Sequence, residues 1–308
     1  MSTERNPTGH QDGPETLTID LPHLRVSALA WGPPTGRLAL CLHGFPDTAW
    51  TWRHLGPALA SQGYRVVAPF SRGYAPTAIP EDGDYHIGAL MYDAIALHRH
   101  LGSPSDAVLI GHDWGAFTAI ALAAHEDSPF SKVVALGAPV LVGFRKRFVT
   151  GALSRLPAQT RKSWYVLYQQ IPGIPERTLD RVIPKLWRDW CPPGFDTTGD
   201  VERVWASLPD RPHRTAAVSY YRFQFQPRRQ SATYKALHRA WRNQPLRRPI
   251  LLIHGELDGG LDLRLATVSA GCLPEGSQHE TIGGAGHFMH LDEPSQVSGL
   301  ITGHLADR

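Results

Sequence analysis

The sequence contains an aspartate in a setting typical of a catalytic nucleophile. Asp113 stands in the stretch "GHDWG", between an apolar run that predicts a buried strand and a segment with a helical pattern. Small residues at Gly111 and Gly115 allow a tight strand-to-helix turn that presents the side chain between them. An aspartate is ionised at neutral pH, so its oxygen can attack saturated carbon without the help of a base. The simpler alternative is an aspartate that only caps the following helix.

Two residues further along the chain could complete this chemistry. Asp258 lies just past the strand-like run "PILLIHG", and His287 lies in the glycine-rich stretch "GAGHF". A histidine that binds a carboxylate through one ring nitrogen can activate water with the other. Asp262 and Asp292 are rival acids, but Asp262 falls at a predicted helix start and Asp292 lies beyond His287. We therefore expect Asp258 to orient the histidine.

A third stretch predicts donors for developing negative charge. The segment "HGFPD", residues 43–47, ends an apolar run and opens a loop. There the backbone N–H of Phe45 can act together with that of Trp114, which follows the nucleophile, as an oxyanion hole. An ester formed on Asp113 would have its carbonyl oxygen at this position. The Phe45–Pro46 bond is a candidate cis peptide.

The surrounding pattern predicts the fold that positions these residues. Apolar runs alternate with helical segments up to about Pro139, which is typical of an α/β protein with a mostly parallel sheet and helices on both faces. We predict a polar tail over 1–15, a core over 16–140 and 246–308, and an inserted all-helical cap over 141–245. Such an insertion usually covers the carboxyl ends of the strands. The predicted core helices are Trp50–Gln62, Ile87–Leu101, Trp114–His125, Asp262–Ala270 and Glu293–His304.

Composition excludes several classes of protein. The 308 residues carry 31 basic and 28 acidic side chains, and a net charge of +3 is too small to indicate a nucleic-acid partner. Three scattered cysteines without a CxxC spacing favour reduced thiols and a cytoplasmic location. The start of the chain lacks the pattern of an export signal. The longest uncharged apolar run, Val133–Phe144, is too short to span a membrane.

Four motifs together carry a resemblance to a known family. With "HGFPD", "GHDWGA", "GELDGG" and "GAGHFMH", the chain resembles the α/β-hydrolase superfamily over nearly its whole length. It is most similar to the epoxide hydrolases that use an aspartate nucleophile, and haloalkane dehalogenases resemble it nearly as closely in the core. The resemblance implies a small-molecule epoxide as substrate. It also implies substrate contacts at Trp114, His43, Pro46, Trp164 and Phe288.

The cap supplies candidates for the group that binds the epoxide oxygen. "SYYRF" is similar to a cap motif of the family in which a tyrosine directly precedes an arginine, and this selects Tyr221 over Tyr220. "SWYVLYQQIPG" resembles the family's other tyrosine segment, in which Tyr165 fits the ring-opening position and Tyr168 a neighbouring one. Tyrosines at helical spacing are, however, more often packing residues with satisfied hydroxyls.

The motifs leave some alternatives open. Trp114 would suit the halide site of a dehalogenase, but aspartate-nucleophile epoxide hydrolases commonly carry a tryptophan there too. Phe45 occupies a position where dehalogenases often have asparagine. An ester-cleaving or non-catalytic homologue is a further alternative. We expect no cofactor and no metal, because the sequence lacks HExxH and dinucleotide spacings, and we expect His290 to face the closing helix. The resemblance allows monomers and homodimers.

Overall fold

A twisted sheet of eight described strands forms the centre of the molecule. The computed structural model describes residues 13–140, 156–226, 228–271 and 273–306. The strand order is β1-β2-β4-β3-β5-β6-β7-β8, in which β1–β2 and β2–β4 are antiparallel and all the other pairs are parallel. The strands are β1 Glu15–Leu21, β2 Leu24–Trp31, β3 Arg37–Leu42, β4 Tyr64–Pro69, β5 Val108–His112, β6 Lys132–Leu136, β7 Ile250–Gly255 and β8 Gln278–Ile282.

Helices pack against this sheet and confirm the predicted α/β class. Helix α2 (Ile87–His100) packs on α3 (Trp114–Ala124). Helix α1 (Leu55–Ala60) packs on α12 (Pro294–Ala306), the last helix of the described residues. The predicted helix over Trp50–Gln62 is wrong in its bounds, because the chain forms a 3-10 helix at Ala49–Trp52 before α1 begins. The core helices are α1 Leu55–Ala60, α2 Ile87–His100, α3 Trp114–Ala124, α10 Leu263–Ala270, α11 Met289–Asp292 and α12 Pro294–Ala306.

The described residues between β6 and β7 form helices and connecting loops and contain no strand. Residues 141–155 of the predicted cap lie outside the described residues, as do residues 1–12 of the predicted tail. Strand β1 already begins at Glu15, the last residue assigned to that tail. The helix at Ala232–Asn243, α9, joins the insertion to the core by packing on α2 and α3. The described helices of the insertion are α4 Leu156–Lys162, α5 Trp164–Tyr168, α6 Pro175–Trp190, α7 Thr198–Ser207, α8 Arg211–Phe225 and α9 Ala232–Asn243.

The sheet order brings the predicted site residues to one edge. Asp113 directly follows β5, Asp258 follows β7 and His287 follows β8. Because β3, β5, β6, β7 and β8 run parallel, the loops after them all emerge at the carboxyl edge of the sheet. Strand β5 is buried along its whole length, so the residue after it begins in the protein interior. No helix of the described residues is long and apolar enough to cross a membrane.

Candidate active site

Asp113 occupies a strained turn between β5 and α3. Its backbone has φ 51° and ψ −115°, a conformation that costs free energy for a residue other than glycine. Its N–H donates to the carbonyl oxygen of Leu136 on the neighbouring strand, with an N–O distance of 3.0 Å. A side chain at Gly115 would not fit, since a Cβ there would lie 2.1 Å from the Leu42 carbonyl oxygen. The turn therefore requires the small residue that the motif provides.

The two carboxylate oxygens of Asp113 have different surroundings. Oδ1 accepts a hydrogen bond of 2.7 Å from the backbone N–H of Phe45, and the backbone N–H of Trp114 lies close enough to the carboxylate to lower its pKa. Phe45 precedes a cis bond to Pro46. A Cβ at Gly44 would lie 2.2 Å from Oδ1, so this close approach requires glycine. Both predicted oxyanion donors thus lie at the nucleophile.

Burial changes the acidity of the nucleophile. Removal from water raises the pKa of Asp113 to about 6, although His287 and the amides of Phe45 and Trp114 act in the opposite direction. The carboxylate is still mainly ionised at neutral pH. A partly desolvated anion with few hydrogen-bond partners is also a better nucleophile than one in water.

His287 links Asp113 to the predicted acid. Its Nδ1 lies 2.8 Å from Oδ2 of Asp258, and its Nε2 lies 3.9 Å from Oδ2 of Asp113. Oδ1 of Asp258 accepts hydrogen bonds from the backbone N–H groups of Gly260 and Leu261, at 2.7 and 2.8 Å. These bonds fix the carboxylate, which in turn fixes the ring. Nε2 of His287 is buried and has no hydrogen-bond partner among the described residues, so it is available to a water molecule.

Electrostatics supports this pairing of acid and base. Burial alone would lower the pKa of His287, but the charge and hydrogen bond of Asp258 raise it above its ordinary value. Burial would raise the pKa of Asp258, but His287 and the two backbone donors hold it below its ordinary value. The rival acids have other partners: Asp262 caps α10, and Asp292 accepts a hydrogen bond from the Gly286 N–H.

Two tyrosines from the insertion lie beside the nucleophile. The rings of Tyr165 on α5 and Tyr221 on α8 are 5.6 Å apart, and the Tyr221 ring contacts the rings of Trp114 and Phe45 at 5.1 and 5.3 Å. Both side chains are buried, and the Tyr221 hydroxyl has no hydrogen-bond partner among the described residues. Burial is the main cause that raises the pKa of each phenol, and the charge of Asp113 adds to it. Both phenols therefore stay protonated at neutral pH.

The neighbouring tyrosines have hydroxyl groups with other partners. Tyr220 donates to the carbonyl oxygen of Arg72 at 2.9 Å, and the hydroxyl of Tyr168 pairs with that of Thr178 at 2.5 Å. The distinction that the motifs made between Tyr221 and Tyr220 thus matches a difference in hydrogen bonding. Tyr220 and Tyr168 serve packing within the insertion and against the core.

The remaining predicted substrate contacts fall into two groups. Trp114 and Pro46 lie at the nucleophile, and Trp164 is half-buried with its ring 6.4 Å from that of Tyr165. His43 and Phe288 form the second group. Both ring nitrogens of His43 have backbone partners, at Gly44 and Ser71, and Phe288 is fully buried. Substrate contacts of these two side chains stay predictions.

The end of α6 makes contacts that the sequence did not reveal. Trp187 stacks on Phe288 with ring centroids 3.7 Å apart, and its indole N–H donates to the Pro46 carbonyl oxygen at 2.8 Å. The backbone N–H of His287 donates to the Trp190 carbonyl oxygen at 2.7 Å. The Trp190 ring also contacts His287 at 4.7 Å. These contacts join positions that lie from about 100 to 141 residues apart. The sequence signalled them only by the number of its tryptophans.

A second buried polar group lies behind the candidate base. Asp47, His112 and His290 present ligand atoms that lie within 4.8 Å of one another. The Nε2 of His112 hydrogen-bonds the His287 carbonyl oxygen, and the Nε2 of His290 pairs with the hydroxyl of Thr51. Neither Nδ1 atom has a partner within the described ranges of the chain. The expectation that His290 faces the closing helix is therefore wrong: it packs into the core.

The spacing of this group bears on what it could hold. Metal–ligand bonds of about 2 Å place ligand atoms of one ion at most about 4 Å apart, whereas hydrogen bonds of about 2.8 Å allow a wider spacing. The upper limit of 4.8 Å on the separations of these ligand atoms is compatible with either kind of occupant. The expectation of no metal and no cofactor stays a prediction.

Because Asp47 is buried, we predict that the free energy of unfolding depends on pH. Burial raises its pKa from 3.8 to about 7, and so between these values the folded protein binds a proton that the unfolded chain has lost. The Asp47 carboxyl therefore lowers the free energy of unfolding as the pH rises from about 4 to 7. Since asparagine does not ionise, Asp47→Asn should gain about 2–4 kcal/mol relative to wild type between pH 4 and pH 8. Urea unfolding at a series of pH values measures this difference.

An exposed aspartate provides the control for this measurement. Asp180 lies on the solvent-exposed side of α6, so the difference between Asp180→Asn and wild type should stay nearly constant over the same range. A difference for Asp47→Asn that is flat, or that shrinks as the pH rises, would show that Asp47 is ionised in the folded protein.

The comparisons with known proteins agree with this fold. The family model for the alpha/beta hydrolase fold matches residues 40–294, which is most of the chain. The protein therefore belongs to the α/β-hydrolase family, as the motifs indicated.

The chain is similar over nearly its whole length to individual members of this family. The chain is 27% identical to epoxide hydrolase A of Mycobacterium tuberculosis, over 94% of this chain and 96% of that protein. It is 29% identical to the AB hydrolase superfamily protein YfhM of Bacillus subtilis, over 96% of this chain and all of that protein. The crystal structure of the epoxide hydrolase VrEH1 from Vigna radiata superposes with a TM-score of 0.75 at 24% identity, covering 96% of this chain and 98% of that one. At this identity the superposition establishes the shared fold.

Proposed function

We propose that this protein hydrolyses an epoxide to a vicinal diol through a covalent ester on Asp113. The observation that carries the proposal is the pair of buried, protonated phenols of Tyr165 and Tyr221 beside the nucleophile. An epoxide oxygen leaves carbon as an alkoxide, which is a poor leaving group unless a donor binds or protonates it. The relatives named as epoxide hydrolases support the same activity.

In the first step the nucleophile opens the ring. Oδ1 of Asp113 is engaged by the Phe45 N–H, so Oδ2 is the oxygen that attacks an epoxide carbon. A bond forms between Oδ2 and carbon as the carbon–oxygen bond of the ring breaks. The phenols of Tyr165 and Tyr221 hydrogen-bond the departing oxygen, and one of them supplies its proton.

In the second step water cleaves the ester. His287 takes a proton from a water molecule through Nε2, and the resulting hydroxide adds to the carboxyl carbon of Asp113. The negative charge that develops on Oδ1 is stabilised by the N–H groups of Phe45 and Trp114. Collapse breaks the bond between the carboxyl carbon and Oδ2, and Oδ2 leaves as the second diol oxygen. The proton of the added hydroxide passes to this oxygen, and the carboxylate of Asp113 is restored with the oxygen from water. The proton held by His287 then returns to the phenolate.

The inserted helices have a distinct part in this proposal. We assign residues 141–245 to a cap that contributes the oxygen-binding phenols, and the remaining strands and helices to a core that forms and cleaves the ester. Helices α5 and α8 carry these phenols, and burial of both rings provides the dry setting in which their hydrogen bonds are strong.

One observation favours dehalogenation as a second candidate. The indole N–H of Trp114 is buried without a hydrogen-bond partner in the described part of the chain, and an indole N–H is the type of donor that binds a halide. The position that hydrogen-bonds Oδ1 is Phe45, however, and its side chain offers no second donor. The two buried phenols beside Asp113 fit an alkoxide better than a halide.

The Tyr165→Phe and Tyr221→Phe variants test the choice between these reactions. Each single variant should lower kcat/KM for diol formation from an aryl epoxide by about 10–100-fold, and the double variant by about 10³-fold or more, because the leaving oxygen loses its donors. Diol formation and halide release from a haloalkane of matched size are measured in parallel by chromatography and a halide assay.

Tyr168→Phe is the matched control for these variants, because its hydroxyl pairs with Thr178. It should stay within about threefold of wild type. Diol formation that survives loss of both phenols would refute their role. Halide release by the wild type without any diol would favour the dehalogenase.

A further inference from the structure

Gln169 lies one helical turn beyond Tyr165. Its backbone conformation is helical, with φ −62° and ψ −17°, and its N–H donates to the Tyr165 carbonyl oxygen at 2.9 Å. Residues separated by four positions in a helix share one face, so the side chains of Tyr165 and Gln169 point to the same side of α5. The rise of a helix places them about 6 Å apart along its axis.

The backbone at Gln169 is fixed by an ion pair from α8. Arg222 donates through Nε to the Gln169 carbonyl oxygen at 2.9 Å and through a terminal nitrogen to the Ile171 carbonyl oxygen at 2.8 Å. The same guanidinium pairs with the Glu176 carboxylate at 2.5 Å. Because Arg222 directly follows Tyr221, this contact places the end of α5 next to the helix that carries the second phenol.

The side chain of Gln169 is polar, buried and unused. It is 0% exposed, and neither its amide oxygen nor its amide nitrogen has a hydrogen-bond partner among the described residues. Buried amides are nearly always hydrogen-bonded, since an unpaired one loses its bonds to water without compensation. An aliphatic residue here would avoid that cost. The amide is therefore expected where a bound molecule supplies the missing partner.

We propose that Gln169 is a specificity residue that hydrogen-bonds a polar group of the substrate. The substrate class is then an epoxide that also carries a hydroxyl, carbonyl or amide group away from the oxirane ring. The inference rests on the proposed function, because it takes the phenols of Tyr165 and Tyr221 as the site of that oxygen. An amide can donate and accept, so it suits an uncharged group that does either.

Two series of substrates test this assignment. Terminal 1,2-epoxyalkanes of increasing length end either in a hydroxyl or in a methyl group. The wild type should prefer the hydroxyl series at one chain length by about 10–100-fold in kcat/KM, because the apolar analogue leaves the amide unpaired. Gln169→Leu should bring that ratio close to one, mainly by raising KM for the hydroxyl substrate.

Gln170→Leu is the matched control. Gln170 is the next residue, is half-buried, and donates its side-chain amide to the Val166 carbonyl oxygen at 3.0 Å. Its replacement should leave the hydroxyl preference unchanged. If Gln169→Leu does not fold, Gln169→Met keeps the length of the side chain and serves the same measurement.

The outcomes separate this inference from the proposed function. Equal turnover of both series at every chain length, with a ratio that Gln169→Leu does not move, would refute the inference and leave the epoxide hydrolase intact. A changed melting temperature with an unchanged ratio would show a structural role only, which also overturns the inference. Absence of turnover for every epoxide would instead refute the proposed function itself.

Discussion

Asp113→Ala is expected to lower kcat/KM for epoxide hydrolysis by at least ~10⁴-fold, because it removes the atom that attacks carbon. The folded structure should persist, since alanine at this strained turn removes a buried charged group and adds no bulk. Turnover of an aryl epoxide, measured as diol, gives the rate. Mass spectrometry of the purified variant verifies that the alanine is retained. Asp127→Ala, at an exposed position, is the control and should match wild type.

An isotope experiment on the wild type tests the same step independently. In a single turnover in ¹⁸O-labelled water, the oxygen added to the first diol comes from Oδ2 of Asp113, so that diol should be unlabelled. Water attacks the carboxyl carbon, and so the label should appear in the peptide that contains Asp113. A labelled diol in the first turnover would mean that water attacks the epoxide directly, which would end the covalent mechanism.

His287→Gln is expected to separate the two chemical steps. The carboxylate of Asp113 remains, so the ester still forms, but no base is present to activate water, and hydrolysis should fall by about 10³–10⁴-fold. The protein should therefore give one equivalent of ring opening and then stop. Intact-protein mass spectrometry should find the mass of the epoxide added to the chain, on the peptide with Asp113.

The rate of ester formation by His287→Gln should depend on pH. The charge of His287 lowers the pKa of Asp113, so its removal should raise that pKa above about 6 and leave more of the nucleophile protonated near neutral pH. Ester formation by the variant should therefore be faster at pH 8 than at pH 6. His279→Gln, at a half-buried position on β8, is the control and should turn over repeatedly. A variant that is inactive and carries no adduct would place His287 in the first step instead.

The strands, and the grouping of three polar residues beyond their ends, could be predicted from the sequence. Strands covered on both faces appear as continuous apolar runs, and Asp113 and Asp258 each follow one of them. His287 follows β8, whose residues QHETI are mostly polar, so its signal in the sequence was the glycine-rich stretch around it. The rule that parallel strands present their carboxyl ends at one edge then brings the three residues together. The two phenols could be selected only because short motifs resembled those of a family.

Features that depend on side-chain direction or on distant partners could not be predicted in this way. His43 lies in a motif, but only the fold shows that the Ser71 N–H occupies one of its ring nitrogens. His290 meets Thr51 across 239 residues of sequence, and no local pattern predicts that contact. The helix predicted from Trp50 failed for a local reason: Pro57 lacks an N–H and is tolerated only in a first turn, so α1 begins at Leu55.

The contacts at the end of α6 have a consequence for how a substrate reaches the buried carboxylate. Trp187 is hydrogen-bonded to the loop of Pro46, and Trp190 is hydrogen-bonded to the loop of His287. Lifting this helix away from the sheet would break both bonds and disturb the oxyanion donors and the base together. We therefore expect α6 to stay in place as a substrate enters or leaves. Entry and exit that leave this helix in place keep the Phe45 N–H and His287 aligned.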